Sequence, residues 1–80
     1  MGYPRRRPHR LAEKLKAIRF HYGLSQSELV RELGLNSAYT NVSKWELNRN
    51  EPDMLVLLAY CRYAKIPLEQ LADDELDLTL

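Results

Sequence analysis

Residues 37–44 read SAYTNVSK, so Ser37, Tyr39, Thr40, Asn41, Ser43 and Lys44 lie close together, and no acidic residue occurs from 34 to 45. Hydroxyls, an amide and a cation are the groups that hydrogen-bond to base edges and phosphates. Tyr39, Thr40, Asn41 and Lys44 are the candidates for reading bases. An asparagine can pair two-fold with adenine and a threonine can meet a thymine methyl. Each good two-fold contact is worth roughly 1–3 kcal/mol of discrimination. Ser37 and Ser43 suit the nucleic-acid backbone. For any one of these residues the alternative is plain solvent exposure, or for Tyr39 packing on the preceding turn. As a group, the absence of acids favours an anionic target.

Such a face needs a helix held by a second one, and the flanking residues supply both. Ser25 with Glu28 three positions on is a capping box, which satisfies free N–H groups at a helix start. Leu29, Val30 and Leu33 give that helix one apolar face, and Gly34 can take the left-handed turn that ends it. A further helix is expected from about Asn36 or Ser37. Its apolar residues Ala38, Val42 and Trp45 share a face at i, i+4, i+7. Two short helices joined by a Gly-containing turn, the second with a polar outer face, read as a helix-turn-helix over about residues 25–47.

The stretch resembles the Cro/repressor type of helix-turn-helix, often called XRE-like. The likeness rests on Gly23-Leu24-Ser25-Gln26, Glu28-Leu29, Leu33-Gly34-Leu35, Val42-Ser43-Lys44-Trp45-Glu46 and Pro52, and runs from about Leu11 to Leu71. Between Gly34 and Trp45 the chain is about two residues longer than the usual pattern, in the turn or at the start of the reading helix. The resemblance implies a structural ion pair between Arg19 and Glu46, tying the first helix to the end of the third; the alternative is Arg19 on a DNA phosphate. It also implies a phosphate contact from Gln26, which sits where a helix N-terminus offers free backbone donors. Asn48 falls where the family usually has glycine, and asparagine is the next-best residue for a left-handed conformation. Arg49 and Asn50 would then flank the DNA backbone.

The bulk properties frame these readings. Eighty residues make one small domain, whose core is only marginally stabilising without a partner or dimer. No apolar run reaches the roughly 18 residues of a membrane span. The basic N-terminus lacks the apolar stretch of a secretory signal. The one cysteine, Cys61, excludes an intramolecular disulfide and sits in an apolar helix, which fits a buried thiol and a cytoplasmic location. The formal net charge of +1 is low for a DNA-binding domain. Its distribution is not even. Residues 1–19 hold seven cations (Arg5, Arg6, Arg7, Arg10, Lys14, Lys16, Arg19) against Glu13, whereas residues 66–80 hold five acids and no cation.

The fold expected is all-α: a compact five-helix repressor-like domain with a basic N-terminal arm and a short acidic C-terminal extension. Residues 1–8 form the arm, in which Arg5, Arg6 and Arg7 either follow phosphates or a minor groove, or merely solubilise the chain. The domain covers residues 9–73. Its first helix spans about 9–22, with Leu11, Leu15, Ile18 and Tyr22 on one face and Gly23 as its stop. Asp53 caps a fourth helix over about 54–65, apolar nearly all round. Leu55, Val56, Ala59 and Tyr63 are candidates for a dimer contact; the alternative is a central helix wrapped by its own domain. Pro67 opens a fifth helix with Leu68 and Leu71 turned inward. In residues 74–80, Leu76, Leu78 and Leu80 alternate with acids or a hydroxyl. That segment can pair with its copy, with Leu76 and Leu78 in the dimer contact, lie on its own core, or fray.

An enzyme is not indicated. His9 and His21 stand apart with no nucleophile spacing around either, Cys61 alone makes no metal site, and there is no Gly-rich phosphate loop. The acids 73–77 read as a solvated end rather than a cation site. No cofactor is expected. The function expected is sequence-specific binding of double-stranded DNA by a small transcriptional regulator, acting as a homodimer with the third helix in the major groove. Two alternatives stand beside it: an antitoxin-like protein gripping a partner through the fourth helix or acidic tail, and an interaction module that keeps the fold without reading DNA.

Overall fold

A computed structural model describes residues 8–80, so Arg5, Arg6 and Arg7 of the expected arm lie outside the described residues. The described chain is five helices and no strand: α1 Leu11–His21, α2 Gln26–Glu32, α3 Tyr39–Glu46, α4 Met54–Ala64 and α5 Glu69–Ala72.

One stop device recurs. At the end of α1, the Gly23 N–H donates to Phe20 and the Leu24 N–H to Arg19. After α2 the same pair runs from Gly34 to Arg31 and from Leu35 to Val30, and after α3 from Asn48 to Trp45 and from Arg49 to Lys44. Each is a Schellman closure, which needs one residue at positive φ. Gly23 and Gly34 supply it at φ 67° and 66°, and Asn48 stands in at 59°. Lys65, which the sequence places inside the fourth helix, takes φ 58° and ends α4 one residue sooner.

The helix starts differ more. Ser25 and Glu28 form the complete capping box of α2, and the Asp53 carboxylate accepts the Val56 N–H to open α4. However, α3 begins at Tyr39, later than the Asn36 or Ser37 expected. The Ser37 hydroxyl accepts a 2.7 Å hydrogen bond from the Asn41 amide, and Ala38 is extended at φ −76°, ψ 148°. Ala38 is thus the N-cap, outside the helix, and α3 opens after it. The extra length therefore falls in the turn, and Ala38 is exposed rather than part of the apolar face.

The core collects Leu11, Leu15 and Ile18 from α1, Leu29 from α2, Val42 and Trp45 from α3, and Tyr60, Cys61 and Ala64 from α4, closed by Ile66 and Leu71. Tyr22 turns away from the expected face and stacks edge-on against Tyr63, ring centres 4.9 Å apart.

The C-terminal segment corrects the picture of a solvated acidic end. It folds back over the start of α1, and Leu78 packs against the chain's own core. The Asp74 carboxylate accepts the His9 and Arg10 backbone N–H groups at 2.8 and 2.9 Å, while the Arg10 guanidinium reaches the Asp77 carboxylate at 2.9 Å. Asp74 thus ties down the two residues that lead into α1 from 64 residues away, and the helix itself starts at Leu11 rather than at His9. Lys14, one of the seven cations of residues 1–19, is 2 % exposed. Its ammonium donates to the carbonyls of Gln70, Asp73 and Leu76 at 2.6, 2.8 and 2.7 Å.

The clasp carries a pH signature. The backbone donors of Arg10 and His9, then the nearby charges of His9 and Lys14, hold the Asp74 carboxyl below its usual range. A carboxyl depressed by folding stabilises fully above its unfolded value of about 3.9, and that contribution is lost as pH falls through the lower folded value. Asp74→Asn is therefore expected to melt below the wild type at neutral pH, with the gap closing below about pH 4. Thermal melts at pH 7 and in acid check this; a gap that widens in acid contradicts it.

Candidate nucleic-acid interface

Helix α3 is pinned to the core by Val42 and Trp45, which are 0 % and 7 % exposed. Thr40, Lys44 and Leu47 lie opposite at i, i+4 and i+7, and all three face solvent. Tyr39 is 54 % exposed at the first turn, and Ser43 is half-buried on the flank of this ridge. Asn41 is placed differently. It is half-buried beside Trp45, and its amide N–H is committed to Ser37. The two remain polar neighbours at the edge of the face rather than independent contacts.

Arg19 fixes the angle of this helix. Its Nε and Nη2 donate to the two Glu46 carboxylate oxygens at 2.8 and 2.9 Å, and its Nη1 donates to the Leu24 carbonyl at 2.9 Å. The side chains are 11 % and 5 % exposed, and the Phe20 ring lies 4.7 Å from the guanidinium carbon. The bond to Glu46 holds the Arg19 guanidinium firmly in its charged form, raising its pKa against the cost of burial. The Tyr60 hydroxyl is fully buried, and loss of water with the nearby Glu46 charge pushes it well above the ordinary phenol range. Gln26, in the first turn of α2, sends its amide to a Glu46 oxygen at 3.4 Å. That contact is long and leaves the amide able to turn outward. Arg49 and Asn50 are exposed in the loop that leaves α3.

The turn and α4 enclose a groove of about 640 Å³ beside this surface, walled by Leu33 and Leu35, by Asn41 and Trp45, and by Leu55, Val56 and Ala59. A smaller hollow of about 330 Å³ follows along α4, between Glu32, Leu33, Ala59, Arg62 and Tyr63. Leu55 is 77 % exposed, while Val56, Ala59 and Tyr63 are half-buried. Leu76 is 40 % exposed in the folded-back tail.

Sequence reasoning passed over three residues. Leu47 is 61 % exposed, and extending the spacing of Thr40 and Lys44 by one turn finds it. Lys14 falls at i+3 from Leu11 and i−4 from Ile18, on the buried stripe. For Asp74 no local signal exists, because its partners are remote in sequence. Among the described residues, no group of three or more His, Cys, Asp or Glu is placed to hold a metal ion, and no helix is long and apolar enough to cross a membrane.

A capped α2, a left-handed turn and a braced α3 with a polar outer ridge define a domain of the Cro/repressor type, a class whose second motif helix docks against DNA. The sequence family described as a helix-turn-helix domain matches residues 12–76, and the chain belongs to that family. No curated protein and no solved structure shows a match to the chain.

Proposed function

We propose that the chain is a small transcriptional regulator that binds double-stranded DNA sequence-specifically as a homodimer, with α3 in the major groove. The observation that carries this is the solvent-facing ridge of α3, acid-free and held at a fixed angle by the buried Arg19–Glu46 pair. Tyr39, Thr40 and Lys44 are the residues we assign to bases, with Asn41 reading through its carbonyl while its N–H holds Ser37. Gln26, Ser37, Ser43, Arg49 and Asn50 are assigned to the DNA backbone, joined by the arm residues Arg5, Arg6 and Arg7. Helix α2 lies across the phosphates, and a two-fold dimer sets two reading helices about 34 Å apart, one turn of the duplex.

The Arg10–Asp77 and Arg19–Glu46 pairs cancel within the fold, and Lys44 and Arg49 are exposed cations on and just after α3.

Affinity for duplex DNA at about 50 and 200 mM salt tests the proposal, because each phosphate contact contributes close to one unit of log–log salt slope. Arg49→Ala is expected to weaken binding to all sequences and reduce the slope by about 1. Thr40→Ala and Lys44→Ala are expected to cost roughly 1–3 kcal/mol on the preferred site and much less on random duplex. Binding that neither depends on salt nor responds to Arg49→Ala overturns the assignment.

A further inference from the structure

Resting on the DNA binding just proposed, we infer that Lys16 on α1 is a further phosphate contact and that Phe20 is the residue that positions it. Phe20 lies in the last turn of α1, 61 % exposed and outside the core. Its ring serves two cations instead. The Arg19 guanidinium carbon lies 4.7 Å from the ring centre, and the Lys16 Nζ lies 5.5 Å from it. Ring faces attract cations at such distances.

Only one of those cations is open to a ligand. Arg19 commits Nε and Nη2 to Glu46 and Nη1 to the Leu24 carbonyl. Lys16 is exposed, and among the described residues no carboxylate pairs with it. Glu13, three positions before it, leans on Arg10 at 3.8 Å instead.

The helical period puts Lys16 on the side of α1 that meets the reading helix. Lys16 and Arg19 are three apart and share a face, and Arg19 grips Glu46, the last residue of α3. Lys14 and Lys16 are two apart and point to opposite sides, and Lys14 turns to the C-terminal segment. The Gln26 amide reaches the same Glu46 carboxylate from the start of α2. A line of contacts thus runs from Gln26 through Glu46, Arg19 and Phe20 to the Lys16 ammonium. A DNA backbone that meets Gln26 comes alongside this line, and Lys16 is the exposed charge at its end. An ammonium held over a ring, rather than paired with an acid, keeps its three donors for phosphate oxygens. It also loses less side-chain freedom on binding.

Affinity of the full chain for its selected site and for random duplex, at about 50 and 200 mM salt, tests this, with circular dichroism to confirm folding. Lys16→Ala is expected to weaken both about five- to tenfold near 100 mM salt and to lower the log–log slope by about 1. Lys16→Arg is expected to restore the slope. Phe20→Leu keeps apolar bulk but removes the ring, and is expected to weaken binding about two- to threefold. In a Lys16→Ala background it is expected to cost nothing more, which a role through Arg19 alone would not produce. An unchanged slope for Lys16→Ala, with Arg49→Ala still lowering it, overturns the contact while the DNA-binding reading stands. A Phe20→Leu loss that persists in full without Lys16 overturns the positioning role. Wild-type binding that ignores salt overturns both the contact and the reading it rests on.

Discussion

Replacing Glu46 with alanine is expected to lower stability by about 3–5 kcal/mol, because it strands the Arg19 guanidinium in a site almost closed to water. The pair is two-pronged, with both oxygens of Glu46 used and a third Arg19 donor on the Leu24 carbonyl. A domain this small melts about 4–8 °C lower for each kcal/mol lost, so the melting temperature falls by roughly 12 °C or more. Arg19→Met alone leaves the Glu46 carboxylate unmatched and is expected to cost a similar amount. Removing both charges together, as Arg19→Met with Glu46→Leu, is expected to recover much of the loss, since the partners then no longer need desolvation. Urea unfolding of the two single variants and the double closes the cycle. A loss below about 1 kcal/mol, the size typical of exposed pairs, contradicts the buried bracing of α3.

The second large effect is expected at Lys14. Three carbonyls converge on its ammonium within 2.6–2.8 Å, and all come from the segment that follows and includes α5. Lys14→Met removes the charge and leaves those oxygens competing for whatever water can enter. Hydrogen bonds to a charged group contribute about 1.5–3 kcal/mol each and do not add fully, so a total near 3–5 kcal/mol is expected. Lys14→Arg recovers only part of it, because a planar fork does not match three oxygens arranged around a point charge. Hydrogen exchange distinguishes this from a general loss of structure. Amides of α5 and residues 73–80 lose protection first, and those of α2 and α3 last. Uniform deprotection contradicts the account of the tail as a strap held by Lys14 and Asp74.

How much of this was legible in the sequence follows the range of the interactions. The five helices, the capping box of Ser25 and Glu28, the Asp53 cap and the turn at Gly34 are written within a few neighbouring residues, and periodicity exposes them. Asn48 was legible too, since few residues other than glycine tolerate positive φ. The start of α3 was misplaced because Ala38 holds an extended backbone as the N-cap, which apolar spacing does not register. The segment lying on its own core was among the readings the sequence left open, but its ties to α1 were not legible, for the opposite reason. Counting charges separates a basic end from an acidic one, and folding then brings Arg10 and Lys14 onto residues 70–77. The face of α3 was visible as a set of polar types. Only the geometry divides that set into the outward Thr40 and Lys44 and the half-buried Asn41 tied to Ser37.

The most direct test of the central claim is selection of bound sites from random duplexes, repeated at two salt concentrations. The account predicts an inverted repeat with half-sites one helical turn apart, bound with steep salt dependence, and a changed half-site preference for Thr40→Ala or Lys44→Ala. Recovery of unrelated sequences, bound equally and released together as salt rises, would contradict base reading by α3.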